Sequence, residues 1–319
     1  MFFVAGATGF IGTHLIRSLA AARLAARCLV RNPRKIPRCT DAGMEVSLGD
    51  ITDRESLRGK LDGCTVAVHL VGIIEEQGEM TFEKVHVRGT ENLVEEAKRS
   101  GVRHFFYQSA LGASPGAKAR YAKTKAEAEE IVRASGIPFT IFRPSLVVGE
   151  GDGFTGRLKE LIALGPFVPV PGSGEARLQP IYVGDWVKCF LSLFPDPSRS
   201  ADAPSRLFEL GGPEHLTYNE IVNQLMEAMG VNKPVIHLPL GAVKISLPFA
   251  RITRTLGEVF GKKIPPVTRE QLELLQTDNI CARDSVERNF GFTPLTYREA
   301  LPLFIQRTGK GRGSPKSGH

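Results

Sequence analysis

The chain has 319 residues, of which 42% are apolar, 24% charged and 8% aromatic. This ordinary globular composition excludes a mostly disordered chain and supplies enough apolar material for a sizeable core. The formal net charge of +7 is a small excess, so it does not by itself indicate a nucleic-acid partner.

The five cysteines are scattered and never form a CxxC pair, and the histidines show no HExxH spacing. We therefore expect neither a disulfide framework nor a metal site. No apolar run is long enough for a membrane span, and the N-terminus lacks the pattern of a signal peptide. These patterns predict a cytoplasmic protein.

Short apolar runs alternate with helical patterns through the first half of the chain. Six runs are predicted as strands: Phe2–Ala5, Ala26–Val30, Glu45–Leu48, Thr65–Val71, His104–Gln108 and Phe139–Phe142. Strands that alternate with helices form βαβ units. The sequence therefore predicts an α/β fold, a doubly wound parallel Rossmann sheet with a smaller C-terminal substrate or cap lobe.

The pattern of elements changes after Gly149. The segment Pro166–Gly174 is predicted as turns, and Asp185 is predicted to cap a helix. Leu207–Leu210 is predicted as one more strand, and Thr217 to Glu220 form a capping box that opens another helix.

These patterns predict three parts of the chain. A Rossmann domain covers residues 1–149 and is completed by about 181–211. The smaller lobe comprises 150–180 and 212–306. Residues 307–319 form a basic tail that we expect to be disordered.

A glycine-rich segment follows the first strand directly and opens the first helix. Glycines there allow a tight turn and a close approach of backbone N–H groups to a pyrophosphate, which the helix N-terminus also favours. The segment therefore predicts dinucleotide binding, with an ordinary structural turn as the alternative. Its candidate residues are Gly6, Thr8, Gly9, Phe10, Ile11 and Gly12.

The end of the second strand bears on the choice between NAD and NADP. NAD-binding proteins usually carry an acidic residue there, whereas an arginine suits the 2′-phosphate of NADP. This chain has Arg31 and Asn32, followed by Arg34 and Lys35, and no acidic residue. The segment predicts a preference for NADP(H) over NAD(H), with a solvated basic loop as the alternative.

Tyr121 and Lys125 form a YxxxK motif. Because four residues make about one helical turn, the two side chains share a helix face. A nearby ammonium group favours a phenolate, so Lys125 is expected to lower the pKa of Tyr121 and make it a proton shuttle. A surface lysine beside a packed tyrosine is the alternative.

With its GxxGxxG spacing and YxxxK motif, the chain resembles the extended and atypical short-chain dehydrogenase/reductases from Met1 to about Gln306. The resemblance implies that Tyr121 exchanges a proton with a carbonyl or hydroxyl oxygen, while Lys125 tunes it and contacts the nicotinamide ribose. It also implies that a small-molecule substrate binds in the lobe. Further cofactor contacts are implied at Asp50, Ile51, Leu70, Val71, Gly72 and Pro144.

Two positions depart from the pattern of that family. The third catalytic residue is a hydroxyl after the fifth strand, which Ser109 supplies unless a shift of one residue places Ala110 there. The family often has Asn where this chain has His86. His86 is expected either to line the site or to be a hydrogen-bonded helix histidine.

Within the family, the chain resembles the atypical group that includes the accessory Rossmann subunit of mitochondrial complex I. Carbonyl or hydroxyl chemistry by hydride transfer is the first functional hypothesis. The alternatives are a non-catalytic NADP-binding structural protein, associated with a respiratory complex, and an epimerase or dehydratase. A basic amphipathic stretch at 244–263 adds a further hypothesis, peripheral membrane binding.

Overall fold

The computed structural model describes residues 1–200, 203–239 and 276–305, and the predicted membrane-binding stretch at 244–263 and the predicted tail at 307–319 lie outside them. The strands are β1 (Phe2–Ala5), β2 (Ala26–Val30), β3 (Glu45–Leu48), β4 (Val66–His69), β5 (His104–Gln108), β6 (Phe139–Pro144), β7 (Val147–Val148), β8 (Val168–Pro171), β9 (Arg177–Leu178), β10 (Ile181–Tyr182), β11 (Arg206–Leu210), β12 (Leu216–Thr217) and β13 (Val235–Leu238). The α-helices are α1 (Phe10–Ala21), α2 (Pro37–Thr40), α3 (Arg54–Leu57), α4 (Gly89–Arg99), α5 (Arg120–Arg133), α6 (Gly153–Leu164), α7 (Val183–Leu193), α8 (Pro197–Ser200), α9 (Tyr218–Met229), α10 (Ser285–Phe290) and α11 (Tyr297–Ala300). Short 3₁₀ turns cover Pro33–Lys35 and Leu301–Leu303, and a π-helical turn covers Glu83–Arg88.

Seven strands form one sheet in the order β3-β2-β1-β4-β5-β6-β11, and every neighbouring pair is parallel. This confirms the predicted doubly wound Rossmann sheet and all six predicted strands of the first half. Alternate residues of β1 enter different cores: Phe2 and Val4 pack on one face, and Phe3 and Ala5 on the other. Because both faces are covered, the central strands β1, β4 and β5 are buried along their whole length and mostly apolar.

A third apolar cluster lies outside these two cores and draws its residues from Val148 to Ile305. It includes residues of α6 and α9, such as Leu158 and Ile221. The strand β11, from the segment 181–211, pairs with β6 and extends the main sheet. On this basis we propose the same division into domains that the sequence predicted.

Two local expectations for the second half were wrong. The segment Pro166–Gly174, predicted as turns, contains the strand β8, which pairs with β13. Buried Val168 and Val170 alternate with the prolines of β8. A strand at the edge of a sheet tolerates proline. Asp185 does not cap a helix, because α7 already begins at Val183 and the Asp185 carboxylate instead accepts a hydrogen bond from the Leu295 amide.

The predicted capping box is confirmed at the start of α9. Thr217 Oγ1 accepts a hydrogen bond from the Glu220 amide, and the Glu220 carboxylate accepts one from the Thr217 amide. Gly230 ends the helix with φ of +69°, a left-handed conformation that glycine adopts easily.

Candidate functional site

The strand order of the main sheet reverses between β1 and β4, and such a reversal opens a crevice at the carboxyl edge of the sheet. Gly6 follows β1 and Gly72 follows β4, so the predicted glycine-rich turn and the predicted backbone contacts meet there. Gly6 has φ of +92°, and a Cβ added to it would lie 2.9 Å from the Leu70 carbonyl carbon. The two segments are therefore packed against each other.

The glycine-rich turn closes tightly onto the start of α1. The Gly9 amide donates to the Gly6 carbonyl at 3.0 Å, and the helix begins at Phe10. A Cβ on Gly12 would lie 2.1 Å from the Gly6 oxygen, so only glycine fits this position. The turn with its helix N-terminus is a cradle that fits the pyrophosphate of a dinucleotide.

Arg38, which sequence reasoning missed, braces this turn from α2. Its Nη1 donates to the carbonyl oxygen of Thr8 at 3.0 Å. The run of basic residues that begins at Arg31 extends to Arg38, so the sequence offered a signal for this residue. Only the fold, however, brings α2 against the glycine-rich turn.

Arg31 lies at the end of β2 with 62% of its side chain exposed. Its guanidinium lies 3.6 Å from the Asp50 carboxylate, an acidic partner that the segment 31–35 itself does not contain. Asn32 has a local role, because its side chain accepts a hydrogen bond from the Arg34 amide and caps the 3₁₀ turn. Arg31 and Arg34 thus remain exposed cations beside the predicted adenosine end of the site.

The predicted adenine contacts at Asp50 and Ile51 behave differently from each other. Asp50 Oδ1 accepts hydrogen bonds from the amide and hydroxyl of Thr52, and its other oxygen faces Arg31. Ile51 is buried; its side chain packs on Gly89 and its carbonyl accepts from Asn92. The Ile51 side chain therefore serves the core, and a cofactor contact there would involve other atoms.

The segment after β4 lies close to the YxxxK lysine. The Leu70 amide donates to the Ala5 carbonyl, which keeps the segment beside β1. A Cβ on Gly72 would lie 3.3 Å from Lys125 Nζ and 3.5 Å from His86 Nε2. Pro144 is buried at the end of β6, where its carbonyl accepts from the Leu111 amide.

Lys125 is buried on α5, with only 3% of its surface exposed. Its Nζ donates to the Gln108 carbonyl at 2.7 Å and to the Tyr107 hydroxyl at 3.4 Å, and it lies 4.9 Å from the centre of the Tyr107 ring. Burial lowers the pKa of Lys125 to about 7, although the Glu129 carboxylate opposes that shift. The amine is therefore able to gain or lose a proton near neutral pH.

Tyr121 lies one turn before Lys125 and contacts two rings edge-on, those of Phe82 and His86. Burial raises the pKa of Tyr121 to about 12. The expected lowering by Lys125 was wrong for this structure, because removal of the phenolate from water outweighs the effect of an amine that is itself easily deprotonated.

Ser109 is buried after β5, but its hydroxyl does not lie free in the crevice. Its Oγ donates to Glu129 Oε1 at 2.5 Å. Arg143 holds the same carboxylate through two hydrogen bonds of 2.8 and 2.7 Å. Sequence reasoning missed Glu129 and Arg143. The available signal was the position of Glu129, one helical turn beyond Lys125.

His86 occupies the π-helical turn before α4 and is almost fully buried. Its Nε2 accepts a hydrogen bond from the Ile73 amide at 3.1 Å, and its Nδ1 lies 3.0 Å from Thr124 Oγ1. Burial, aided by the charge of Lys125, lowers the pKa of His86 to about 2. The imidazole therefore lines the predicted site and is also fully hydrogen-bonded.

Residues 6–159 match a family model described as NAD(P)H-binding. The chain is 31% identical over 236 residues to a ceramide reductase of Caulobacter vibrioides, an alignment that covers 74% of this chain and 73% of that protein. The chain belongs to the NAD(P)-binding Rossmann family, among the extended and atypical short-chain dehydrogenase/reductases. Another relative in this family is the Arabidopsis thaliana mitochondrial NADH dehydrogenase [ubiquinone] 1 alpha subcomplex subunit 9, 28% identical over 292 residues, or 89% of this chain and 70% of the relative.

Solved structures of other proteins share this fold. A nucleoside-diphosphate-sugar epimerase from Staphylococcus aureus superposes with a TM-score of 0.72 at 21% identity, covering 94% of this chain and 99% of the epimerase. An NADPH-dependent quinone oxidoreductase from Escherichia coli superposes with a TM-score of 0.70 at 18% identity, covering 94% of this chain and 98% of that enzyme. Oxidoreductases and epimerases thus occur on this architecture. In the residues that the structure describes, no helix has the length and apolarity that a membrane crossing requires.

Proposed function

We propose that this chain is an NADP(H)-dependent oxidoreductase that acts by hydride transfer at a carbonyl or hydroxyl carbon. The observation that carries the proposal is the position of Lys125. Its buried amine lies beside Gly72, where the strand order of the sheet reverses, and the residue lies one helical turn from Tyr121. When bound, NADP(H) supplies or accepts the hydride.

The residues of the glycine-rich turn fit this cofactor. Gly6 and Gly12 leave a cradle at the N-terminus of α1, and Arg31 and Arg34 offer guanidinium groups for the 2′-phosphate. The Asp50 carboxylate, 3.6 Å from Arg31, offsets only part of this positive charge. This arrangement supports a preference for NADPH over NADH.

Residues of the chain itself would transfer the proton, hold the cofactor and position the substrate. Tyr121 would hold the proton that passes to or from the substrate oxygen, because its raised pKa keeps the phenol protonated at neutral pH. Lys125 would hold the nicotinamide ribose and exchange a proton with Tyr121. Ser109 remains a candidate for positioning the substrate oxygen, although its hydroxyl would first have to leave Glu129.

Several relatives have names that refer to large apolar compounds. They include the ceramide reductase, a 3 beta-hydroxysteroid dehydrogenase of Mycobacterium tuberculosis and a farnesyl-quinoline-oxide ketoreductase of Stigmatella aurantiaca. We therefore propose an apolar ketone, quinone or secondary alcohol as the substrate class.

Two measurements test the proposal. Calorimetric titration should show tighter binding of NADPH than of NADH, and equal or reversed affinities would contradict the cofactor assignment. Loss of NADPH absorbance should then be followed against a panel of steroid ketones, long-chain ketones and quinones. Tyr121→Phe should abolish the turnover, whereas Tyr297→Phe, which changes a phenol buried in the third cluster, should leave it intact.

A non-catalytic NADP-binding role in a larger assembly is the second candidate. It is favoured by the Ser109 hydroxyl, which is already bonded to Glu129, and by the similarity to the plant NADH dehydrogenase subunit. This role predicts NADPH binding that Tyr121→Phe does not change and no turnover with any member of the panel. An epimerase or dehydratase would differ from both, since it converts substrate without net consumption of the nicotinamide.

A further inference from the structure

His86 joins three parts of the molecule that are distant in sequence. It belongs to the π-helical turn Glu83–Arg88; one ring nitrogen meets the backbone of Ile73 after β4, and the other meets Thr124 on α5. π-helical turns often occur at functional sites, and this one carries a residue that contacts both the segment after β4 and the helix α5, which carries Tyr121 and Lys125.

The hydrogen bonds determine which nitrogen carries the proton. The Ile73 amide is a donor, so Nε2 must be the acceptor and therefore carries no proton. The Thr124 hydroxyl can donate to the helix carbonyls of Arg120 and Tyr121, both at 3.1 Å, which leaves its oxygen free to accept from Nδ1–H. The ring is thus a neutral Nδ1–H tautomer with both nitrogens engaged.

The ring is fixed by packing as well. It stacks on Phe82, with ring centroids 5.4 Å apart, and meets the edge of the Tyr121 ring at 5.5 Å. Its backbone carbonyl accepts a hydrogen bond from Thr90. A side chain held at both nitrogens, on its faces and at its backbone cannot rotate to exchange protons with a substrate or solvent.

We infer that His86 is a positioning residue, which ties the Ile73 backbone to Thr124 and thereby holds the Gly72–Ile73 segment against Lys125. A Cβ on Gly72 would lie within 3.5 Å of both Lys125 Nζ and His86 Nε2, so Gly72 lies next to both side chains. Related proteins often have an asparagine at this position. In this chain His86 forms a rigid bridge there and does not relay protons. Its effect on a bound dinucleotide rests on the function proposed above, whereas its effect on the Ile73 amide does not.

Two pairs of variants test this bridge. His86→Phe keeps an aromatic ring without nitrogens, and His86→Asn restores the residue type frequent in the family but is too short for both partners. Thr124→Val removes the hydroxyl with little change in shape, and Thr124→Ser keeps it as the rescuing control. All four are compared with wild type at equal temperature below the measured Tm.

Hydrogen exchange at the Ile73 amide is the first readout. We expect exchange at least tenfold faster in His86→Phe and Thr124→Val, and near wild type in Thr124→Ser. The ¹⁵N shifts of His86 should show the Nδ1–H tautomer, unchanged between pH 5 and 8. An Nε2–H tautomer, a titration in that range, or wild-type exchange in a folded Thr124→Val would overturn the inference.

Binding of NADPH and NADH is the second readout. We expect both Kd values to rise about five- to tenfold in Thr124→Val and to recover in Thr124→Ser, because the loosened segment borders both nucleotides equally. If His86→Phe does not fold, the comparison of Thr124→Val with Thr124→Ser still tests the bridge. Should the wild type bind neither nucleotide, the proposed function fails, while the exchange measurement still confirms or overturns the bridge.

Discussion

The hydroxyl of Ser109 donates a hydrogen bond of 2.5 Å to Glu129, and both side chains are buried. The same carboxylate receives two hydrogen bonds from Arg143. This group of three, in which Arg143 is partly exposed, links the ends of β5 and β6 to the helix that carries Tyr121 and Lys125. Its carboxylate also favours the charged form of Lys125.

Glu129→Gln should destabilise the protein. The neutral amide leaves the Arg143 charge without its partner, so we expect the free energy of unfolding to fall by roughly 2–3 kcal/mol in urea titrations. Glu130→Gln is the matched control, since Glu130 is next in the helix and 70% exposed, and it should change stability by less than about 1 kcal/mol. Equal effects of the two changes would mean that the hydrogen bonds of Glu129 contribute nothing to stability.

Ser109→Ala should separate a structural from a catalytic hydroxyl. We expect a loss of about 1 kcal/mol of stability, the usual contribution of one hydrogen bond, and unchanged NADPH affinity. Turnover of an identified substrate should fall less than tenfold. A loss of turnover beyond a hundredfold would instead show that the hydroxyl leaves Glu129 and positions the substrate.

Gly12→Ala should disable the glycine-rich turn. The added Cβ would lie 2.1 Å from the Gly6 oxygen, so the turn must move and NADPH affinity should fall by more than tenfold. Gly156→Ala, in the first turns of α6, meets no atom within 4 Å and should stabilise the helix by about 0.5–1 kcal/mol without affecting binding. Calorimetric titration and thermal unfolding measure both effects, and wild-type binding by Gly12→Ala would contradict the assigned cradle.

Lys125→Met should change stability in a pH-dependent way. The pKa of Lys125 is about 7 in the folded protein and 10.5 in an ordinary lysine, so between these values the unfolded chain binds the additional proton. Wild-type stability therefore falls as pH decreases from 10 to 7, and the variant lacks that loss. The stability of Lys125→Met relative to wild type should rise by roughly 3–4 kcal/mol between pH 10 and pH 7.

The exposed neighbour Lys123 provides the control for this measurement. Lys123→Met tests whether loss of an amine from this helix is by itself enough to produce the effect. A pH-independent difference for Lys125→Met would show that its amine titrates as in solvent.

Arg31 and Asp50 should affect the choice of nucleotide in opposite directions. Arg31→Ala removes a cation for the 2′-phosphate and should lower the ratio of NADPH to NADH affinity about tenfold. Asp50→Asn keeps the acceptor for Thr52 but removes the charge 3.6 Å from Arg31, so the ratio should rise. Arg288→Ala, with the same 62% exposure and its own acidic partner, should leave the ratio unchanged. A ratio that none of these variants alters would place the 2′-phosphate elsewhere.

The sequence by itself determined the sheet and predicted the place of the nucleotide. The runs at Phe2–Ala5 and His104–Gln108 became strands with the predicted bounds, because apolar runs between turn residues are a local signal. The capping box at Thr217 and the glycine-rich turn were equally readable, since each is complete within a few residues.

Only the tertiary structure decided how the side chains in the crevice are used. The bond from Ser109 to Glu129 spans 20 positions and that from His86 to Thr124 spans 38, and no local pattern specifies either pairing. The raised pKa of Tyr121 likewise depends on burial, which the packing of α5 sets, and not on the spacing of YxxxK. Backbone geometry follows from neighbours along the chain, whereas hydrogen-bond partners and the pKa of a buried group follow from neighbours in space.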